Sequence, residues 1–331
     1  MSRTGPVTAL FLCVLVMASS GSANASGKLS LAAVNASSLQ AQALDGDQPE
    51  PAMIKLQVWL DRLHYSVGVI DGYNGDNVQK AIRAFQKAEG LAVTSEDLGE
   101  VWSRLRQLAG NAAPMMAYSL TDEDVSVRLV DAIPQDYAEM AKLEGLFYTS
   151  RAEALAEKFH MDIDLFTRLN GKADLSQAGT AIIVPALAND LSGTTVERIE
   201  VSKQAGSLKG FDATGKLVVQ YPASVGSDQT PSPSGTFTVN AIAIDPTYSY
   251  NPAVNFTQGN NTEVLTLPAG PNGPVGNVWI DLSKPTYGIH GTPDPAAIDK
   301  TQSHGCVRLT NWDAHELARI VSRGATVVFV Q

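Results

Sequence analysis

Apolar positions recur at helical spacing through the first half of the chain and at strand spacing through the second. Leu56, Trp59, Leu60 and Leu63 fall on one helical face, and Val69-Ile70-Asp71-Gly72 follows as a turn. Asp76 and Gln79 have the spacing of a capping pair for a second helix, whose Val78, Ala81, Ile82 and Phe85 share a face before Gly90 stops it. Thr94 and Asp97 would open a third helix, with Leu98, Val101, Trp102 and Leu105 turned inward. Residues 52–110 therefore predict a small three-helix bundle, with Trp59, Phe85 and Trp102 in its core.

A connector over 111–143 follows, with an acidic turn at Thr121-Asp122-Glu123-Asp124 and a helix-resisting Ile133-Pro134. Ser150 and Glu153 form a capping box, and Ala152, Leu155, Ala156 and Phe159 line one side of the helix it opens. Asp162 caps a second short helix carrying Leu165, Phe166 and Leu169, which stops at Asn170-Gly171. With a short strand over 181–185, this predicts a βααβ unit at 144–186, followed by a linker at 187–195.

From 196 to 331 the pattern is β. Segments 198–202, 216–221, 233–239, 279–282 and 326–330 carry β-branched and aromatic residues between Gly, Asp and Pro turns, and 312–322 reads as one helix stopped by Gly324. The stretch 245–276 is too long for an idle loop. The fold class expected is multidomain α+β, ending in a mainly-β, sandwich-like domain with a minor C-terminal helix.

The N-terminus changes the picture of where such a chain works. Arg3, an apolar run over 7–18 and Ala23-Asn24-Ala25 have the form of a signal peptide over 1–25, with a polar linker at 26–51. The run is too short for a comfortable membrane span, so the expectation is an exported protein with no span after cleavage; an uncleaved anchor is the alternative. Net charge is −10 over 331 residues, which argues against nucleic acid or an anionic membrane as partner. Cys13 lies inside the apolar run, so the exported chain keeps one cysteine, Cys306. A lone cysteine in an oxidising compartment is a reactive thiol or an intermolecular partner.

Cys306 sits with His290 and His304 in the segment 287–311, and both histidines have glycine after them. A thiol attacks as thiolate, and either imidazole has the basicity to take its proton near neutral pH. The same three side chains are acceptable zinc ligands, but the cysteine lacks a second cysteine at metal-type spacing.

The wording of this segment, His290-Gly291-Thr292 followed by Ser303-His304-Gly305-Cys306-Val307-Arg308, resembles the signature of the L,D-transpeptidases of peptidoglycan synthesis, with their YkuD-type catalytic domain. That resemblance implies Cys306 as nucleophile, His290 as base, and His304 as a support to the thiolate or substrate. It also implies oxyanion or substrate contacts from Gly305, Ser303, Gly291, Arg308 and Tyr287, with no metal and no cofactor. Partners would be peptidoglycan stem peptides and glycan strands in the periplasm, with a wall-attached lipoprotein as a further candidate acceptor. Within the same chemistry stand an L,D-carboxypeptidase or amidase using water; outside it stands a non-catalytic wall-binding protein. One departure is Asp299, where many relatives carry glycine.

Upstream, Leu56-Gln57, Ile70-Asp71-Gly72-Tyr73 and Ala81-Ile82-Arg83-Ala84-Phe85-Gln86 resemble the helical peptidoglycan-binding domain. Leu169-Asn170 and the ending Gly179 to Pro185 resemble a LysM module, a binder of N-acetylglucosamine polymers, although the usual turn of its opening strand is missing.

Overall fold

Helices dominate to residue 170 because apolar side chains recur there at three- and four-residue spacing with polar residues between them. The computed structural model describes residues 29–39, 47–93, 98–187, 191–226, 232–301 and 305–330. The signal peptide over 1–25, the Thr94–Asp97 cap, Ser303 and His304 lie outside these.

A short helix α1 (Leu31–Ala36), within the stretch read as linker, precedes the bundle of α2 (Pro51–Arg62), α3 (Asp76–Glu89) and α4 (Gly99–Ala109). Pro51 opens α2, where its missing N–H costs nothing, and Gly90 ends α3 with φ 68°, a left-handed cap that glycine adopts without strain. The α3 cap is Gly75 rather than Asp76, and Gln79 reaches Asn74 instead (2.6 Å). Trp59, Phe85 and Trp102 are buried, the two indoles edge to face at 4.8 Å. Fully buried Gln57 shapes the turn after α2: its Oε1 accepts from Gly72 N at 2.8 Å and its Nε2 donates to Asp71 Oδ1 at 2.7 Å.

Next come β1 (Met115–Ser119), α5 (Asp122–Val125), α6 (Tyr137–Met140), α7 (Arg151–Lys158), α8 (Ile163–Asn170) and β2 (Ala181–Pro185). Ser150 and Asp162 cap α7 and α8, but the Glu153 carboxylate accepts from Thr149 N at 2.7 Å rather than closing the expected box on Ser150. The opening strand of the βααβ unit is a correction: it is β1, not a segment near Gly145. β1 pairs antiparallel with β2 from Met115↔Pro185 to Ser119↔Ala181, so residues 120–150 loop out between strand and helix. Buried side chains from Val34 to Val184 form one cluster, so bundle and βααβ unit share a core.

The remaining chain forms β3 (Val196–Ser202), β4 (Ser207–Phe211), β5 (Leu217–Pro222), β6 (Ser224–Val225), β7 (Gly235–Ile244), β8 (Tyr248–Tyr250), β9 (Leu265–Leu267), β10 (Val278–Leu282), β11 (Gly288–His290), β12 (Val307–Arg308), α9 (Asn311–Ile320) and β13 (Val321–Val330). Nine strands join in one continuous sheet, ordered β5-β4-β3-β13-β7-β10-β11-β12-β6, while β8 and β9 make a separate hairpin. α9 ends at Ile320 because Val321 is already extended and paired with Val196; Gly324, at φ 88°, lies within the register shift that follows. A second core fills the space between the sheet and α9.

The three parts are bonded to one another. Ser66 N donates to Gln220 O and Gln220 N to His64 O, both at 2.9 Å, so the chain after α2 extends the edge of β5. Ile70 N donates to His160 O at 2.8 Å, and Leu146 N to Ala269 O at 2.9 Å. Among the described residues no helix is long and apolar enough to cross a membrane.

Candidate active site

Strand register builds the site. Trp279 on β10 pairs with His290 on β11, and His290 pairs with Arg308 on the parallel β12. Paired residues project to the same face, and Cys306 lies in the bend just before β12. These side chains line a cavity of about 710 Å³ together with Tyr287.

His290 is 5% exposed and stacks on the Trp279 ring at 5.6 Å. Its Nδ1 lies 2.7 Å from the Gly291 carbonyl oxygen, an acceptor, so Nδ1 carries the proton and Nε2 is left with its lone pair. Burial, then the Arg308 charge, push this imidazole down to about 3, against the Gly291 hydrogen bond.

Cys306 has its Sγ 3.7 Å from Thr286 O, with the S–H as donor. Burial pushes the thiol up from its ordinary value; the Gly288 N–H, which donates to sulfur, and the Arg308 charge act the other way. The resting pair is therefore neutral thiol and neutral imidazole. Thr286 holds φ 70°, costly for a β-branched residue and a kind of strain that concentrates at functional sites. Gly288 and Gly305 admit no side chain: a Cβ at 288 would stand 2.5 Å from the Trp279 ring, and Gly305 has φ 112° with the Tyr287 ring 3.1 Å from its would-be Cβ. The Gly305 carbonyl accepts from Ser232 Oγ at 2.7 Å.

Arg308 is largely buried, and its Nε has no hydrogen-bond partner among the described residues. A guanidinium keeps its charge there, and the residue lines the cavity.

One wall comes from far upstream. Tyr137, on α6 in the stretch read as a connector, lines the cavity and packs edge-on to Tyr250 at 5.2 Å, with Tyr248 and Phe256 beyond. Its N–H donates to Gln258 Oε1 at 3.1 Å. Burial pushes its hydroxyl up to about 12, against the Arg308 charge, so it stays a donor. Sequence spacing gives no signal for Tyr137, Thr286, Gly288 or Trp279, because their roles depend on register and on long-range packing.

Of the residues singled out from the sequence, Cys306, His290, Arg308 and Tyr287 meet in this cavity, and Gly291 and Gly305 flank it through backbone. Ser303 and His304 lie outside the described residues. His64, His160 and His315 line a separate cavity of about 330 Å³ beside α9, where His64 Nδ1 meets Glu316 at 2.9 Å and His160 Nδ1 meets Asp61 at 3.2 Å.

Comparison with known proteins places similarity on the same segments. A family model described as the L,D-transpeptidase catalytic domain (YkuD) matches residues 197–330, and one described as a putative peptidoglycan binding domain matches 49–110. The putative L,D-transpeptidase YkuD of Bacillus licheniformis is 35% identical over 150 residues, covering 45% of this chain and 74% of that protein. The probable L,D-transpeptidase YbiS of Escherichia coli K12 is 27% identical over 187 residues, 55% of this chain and 60% of that one. Among solved structures, an L,D-transpeptidase from Mycobacterium smegmatis covers 48% of this chain and 77% of its own at 19% identity, with a TM-score of 0.35.

Proposed function

This chain belongs to the L,D-transpeptidase family, and from that premise we propose that it transfers peptidoglycan stem peptides through a thioester on Cys306. The observation that carries the reading is the setting of the thiol. Its sulfur lies between the Gly288 N–H and the Thr286 carbonyl, in a cavity that also holds an imidazole with its Nε2 lone pair available.

Because both groups rest neutral, proton transfer accompanies attack. Nε2 of His290 takes the Sγ proton as sulfur bonds to the carbonyl carbon between the third and fourth stem residues. The carbonyl electron pair moves to oxygen, where backbone N–H groups of the Gly305–Cys306 turn are the oxyanion donors. Collapse breaks the C–N bond, the departing D-alanine nitrogen takes the proton from Nε2, and the acyl group stays on sulfur. An acceptor amine then attacks the thioester, passes a proton to His290, and leaves sulfur to recover it. The Gly288 N–H stabilises the thiolate as it departs. Arg308 binds a substrate carboxylate through paired hydrogen bonds, and Tyr287 borders the donor stem. His304 supports the thiolate.

The wall is the partner, and the 49–110 match supports a peptidoglycan-binding role for the helical bundle. The βααβ unit, with its LysM-like order, is a second glycan contact, and a wall-attached lipoprotein is a candidate acceptor. The periplasm is the compartment this requires. Incubation with a disaccharide-tetrapeptide should give cross-linked dimer and free D-alanine with wild type and neither with a folded Cys306→Ala. Dimer from Cys306→Ala would overturn the reading. Tripeptide monomer alone from wild type would make water the acceptor and the protein a carboxypeptidase.

A further inference from the structure

The peptide unit joining Gly291 to Thr292 is held at both of its polar ends. Its carbonyl accepts from His290 Nδ1 at 2.7 Å, and its N–H, on Thr292, donates to Asn311 Oδ1 at 3.1 Å. Asn311 is the first residue of α9 and 1% exposed. Its amide is fully used. Oδ1 also accepts from Asn277 N at 3.4 Å, while Nδ2 donates to Pro271 O at 3.1 Å and to both Glu157 oxygens at 3.1 and 3.2 Å. Two N–H donors on one side and a carbonyl with a carboxylate on the other fix which way the amide points.

Close approach is built in. A Cβ on Gly291 would lie 2.1 Å from Asn311 Oδ1, and one on Gly276 would lie 1.9 Å from it. Glu157 itself belongs to α7 of the βααβ unit, and its Oε1 accepts from Tyr148 OH at 2.8 Å. The charged groups near it are Glu153 on the same helix and His160 just beyond it; Asp61, His64, Lys158, Asp313, His315, Glu316 and Arg319 line the same cavity as Glu157.

We propose that Asn311 is a positioning residue for His290, with its amide locked by Glu157, so that the upstream βααβ unit sets the geometry of the base. The inference rests on the thioester reading above. An N–H already bonded to Asn311 polarises the shared peptide and strengthens its carbonyl as acceptor for Nδ1–H. That holds the tautomer in which Nε2 is the base. Glu157 is pushed up to about 7 by burial, against the hydrogen bonds from Tyr148 and Asn311. Above that pH it offers Asn311 two accepting oxygens; below it, one oxygen carries a proton and the lock weakens. Acylation thereby gains a pH dependence near 7 that His290, at about 3, does not supply.

The test follows acylation of the full chain by a carbapenem, read by intact mass over pH 5 to 9, in wild type, Asn311→Asp, Glu157→Gln and the double variant. Asn311→Asp sets a carboxylate against Glu157, and should lower the limiting acylation rate roughly 100-fold while leaving the half-saturating concentration within about threefold. Glu157→Gln should cost less than about tenfold and lose the inflection near pH 7. In the double variant the introduced glutamine amide donates to the introduced aspartate, and the rate should recover at least about tenfold over Asn311→Asp. Wild-type speed in Asn311→Asp, no recovery in the double variant, or an unchanged inflection in Glu157→Gln would overturn the relay. A wild-type protein that takes up no acyl group would instead overturn the thioester reading and the relay with it.

Discussion

His290 shows how a single residue is tuned by its surroundings. The fold buries it against Trp279 and beside Arg308, so the folded protein binds its proton only near pH 3, whereas an unfolded chain binds it near the ordinary value of about 6.5. A base with a depressed folded pKa costs nothing above pH 6.5. As pH falls from there toward 3 the unfolded state gains a proton that the folded state refuses, and stability is lost. Between pH 7 and pH 4 that loss is on the order of 3 kcal/mol. Urea denaturation at the two pH values should therefore show wild type losing more stability than His290→Gln; parallel losses would contradict the buried neutral imidazole. Cys306 and a nearby imidazole were legible in the sequence as a thiol among glycine-flanked histidines, but only the family resemblance separated His290 from His304. Asn311, Thr286 and Gly288 were not, since asparagine, threonine and glycine are ordinary residues until register sets them against Thr292 N and Cys306 Sγ.

Among the elements, the stretch 292–301 after β11 lines the cavity through Thr292, Asp294, Ala297 and Thr301. It holds Asp299 at φ 63°, a left-handed conformation that glycine adopts freely and aspartate tolerates. The Asp299 side chain pairs with Lys80 on α3 of the bundle. Asp299 N also donates to Ser224 Oγ at 2.9 Å, and Asn77 Nδ2 donates to Ile298 O at 3.2 Å, so the bundle is fastened to this loop. Lys80→Ala leaves a largely buried carboxylate without its partner and should cost about 1–3 kcal/mol in urea denaturation. Adding Asp299→Gly removes both the orphaned charge and the backbone strain, and should recover more than half of that. Unchanged stability in Lys80→Ala would contradict the fastening. Helices α2 and α3 were readable from apolar spacing, and α7 and α8 from apolar spacing together with the capping residues Ser150 and Asp162. β1 was not: Met115–Ser119 has no alternation to mark it, and its burial is supplied by β2 and α1 from either side of it in the chain.

At the scale of the molecule, one chain brings a bundle matched by the putative peptidoglycan binding domain family and a thiol site into one bonded assembly. The bundle and βααβ unit share a core, extend the edge of the catalytic sheet at Ser66–Gln220, and supply Tyr137 to the cavity wall. None of this was legible in sequence, where the same segments read as modules joined by connectors, because hydrogen bonds between residues 146 and 269, or 157 and 311, leave no local pattern. A covalent thioester formed at Cys306 within this assembly is the proposed intermediate. Its most direct measurement is peptide mapping by mass spectrometry after rapid quenching of the full chain with a disaccharide-tetrapeptide. The expected result is a disaccharide-tripeptide acyl group on the peptide containing Cys306, with an equal amount of D-alanine released. Turnover to products with Cys306 unmodified at every quench time, or the acyl group found on another residue, would contradict it.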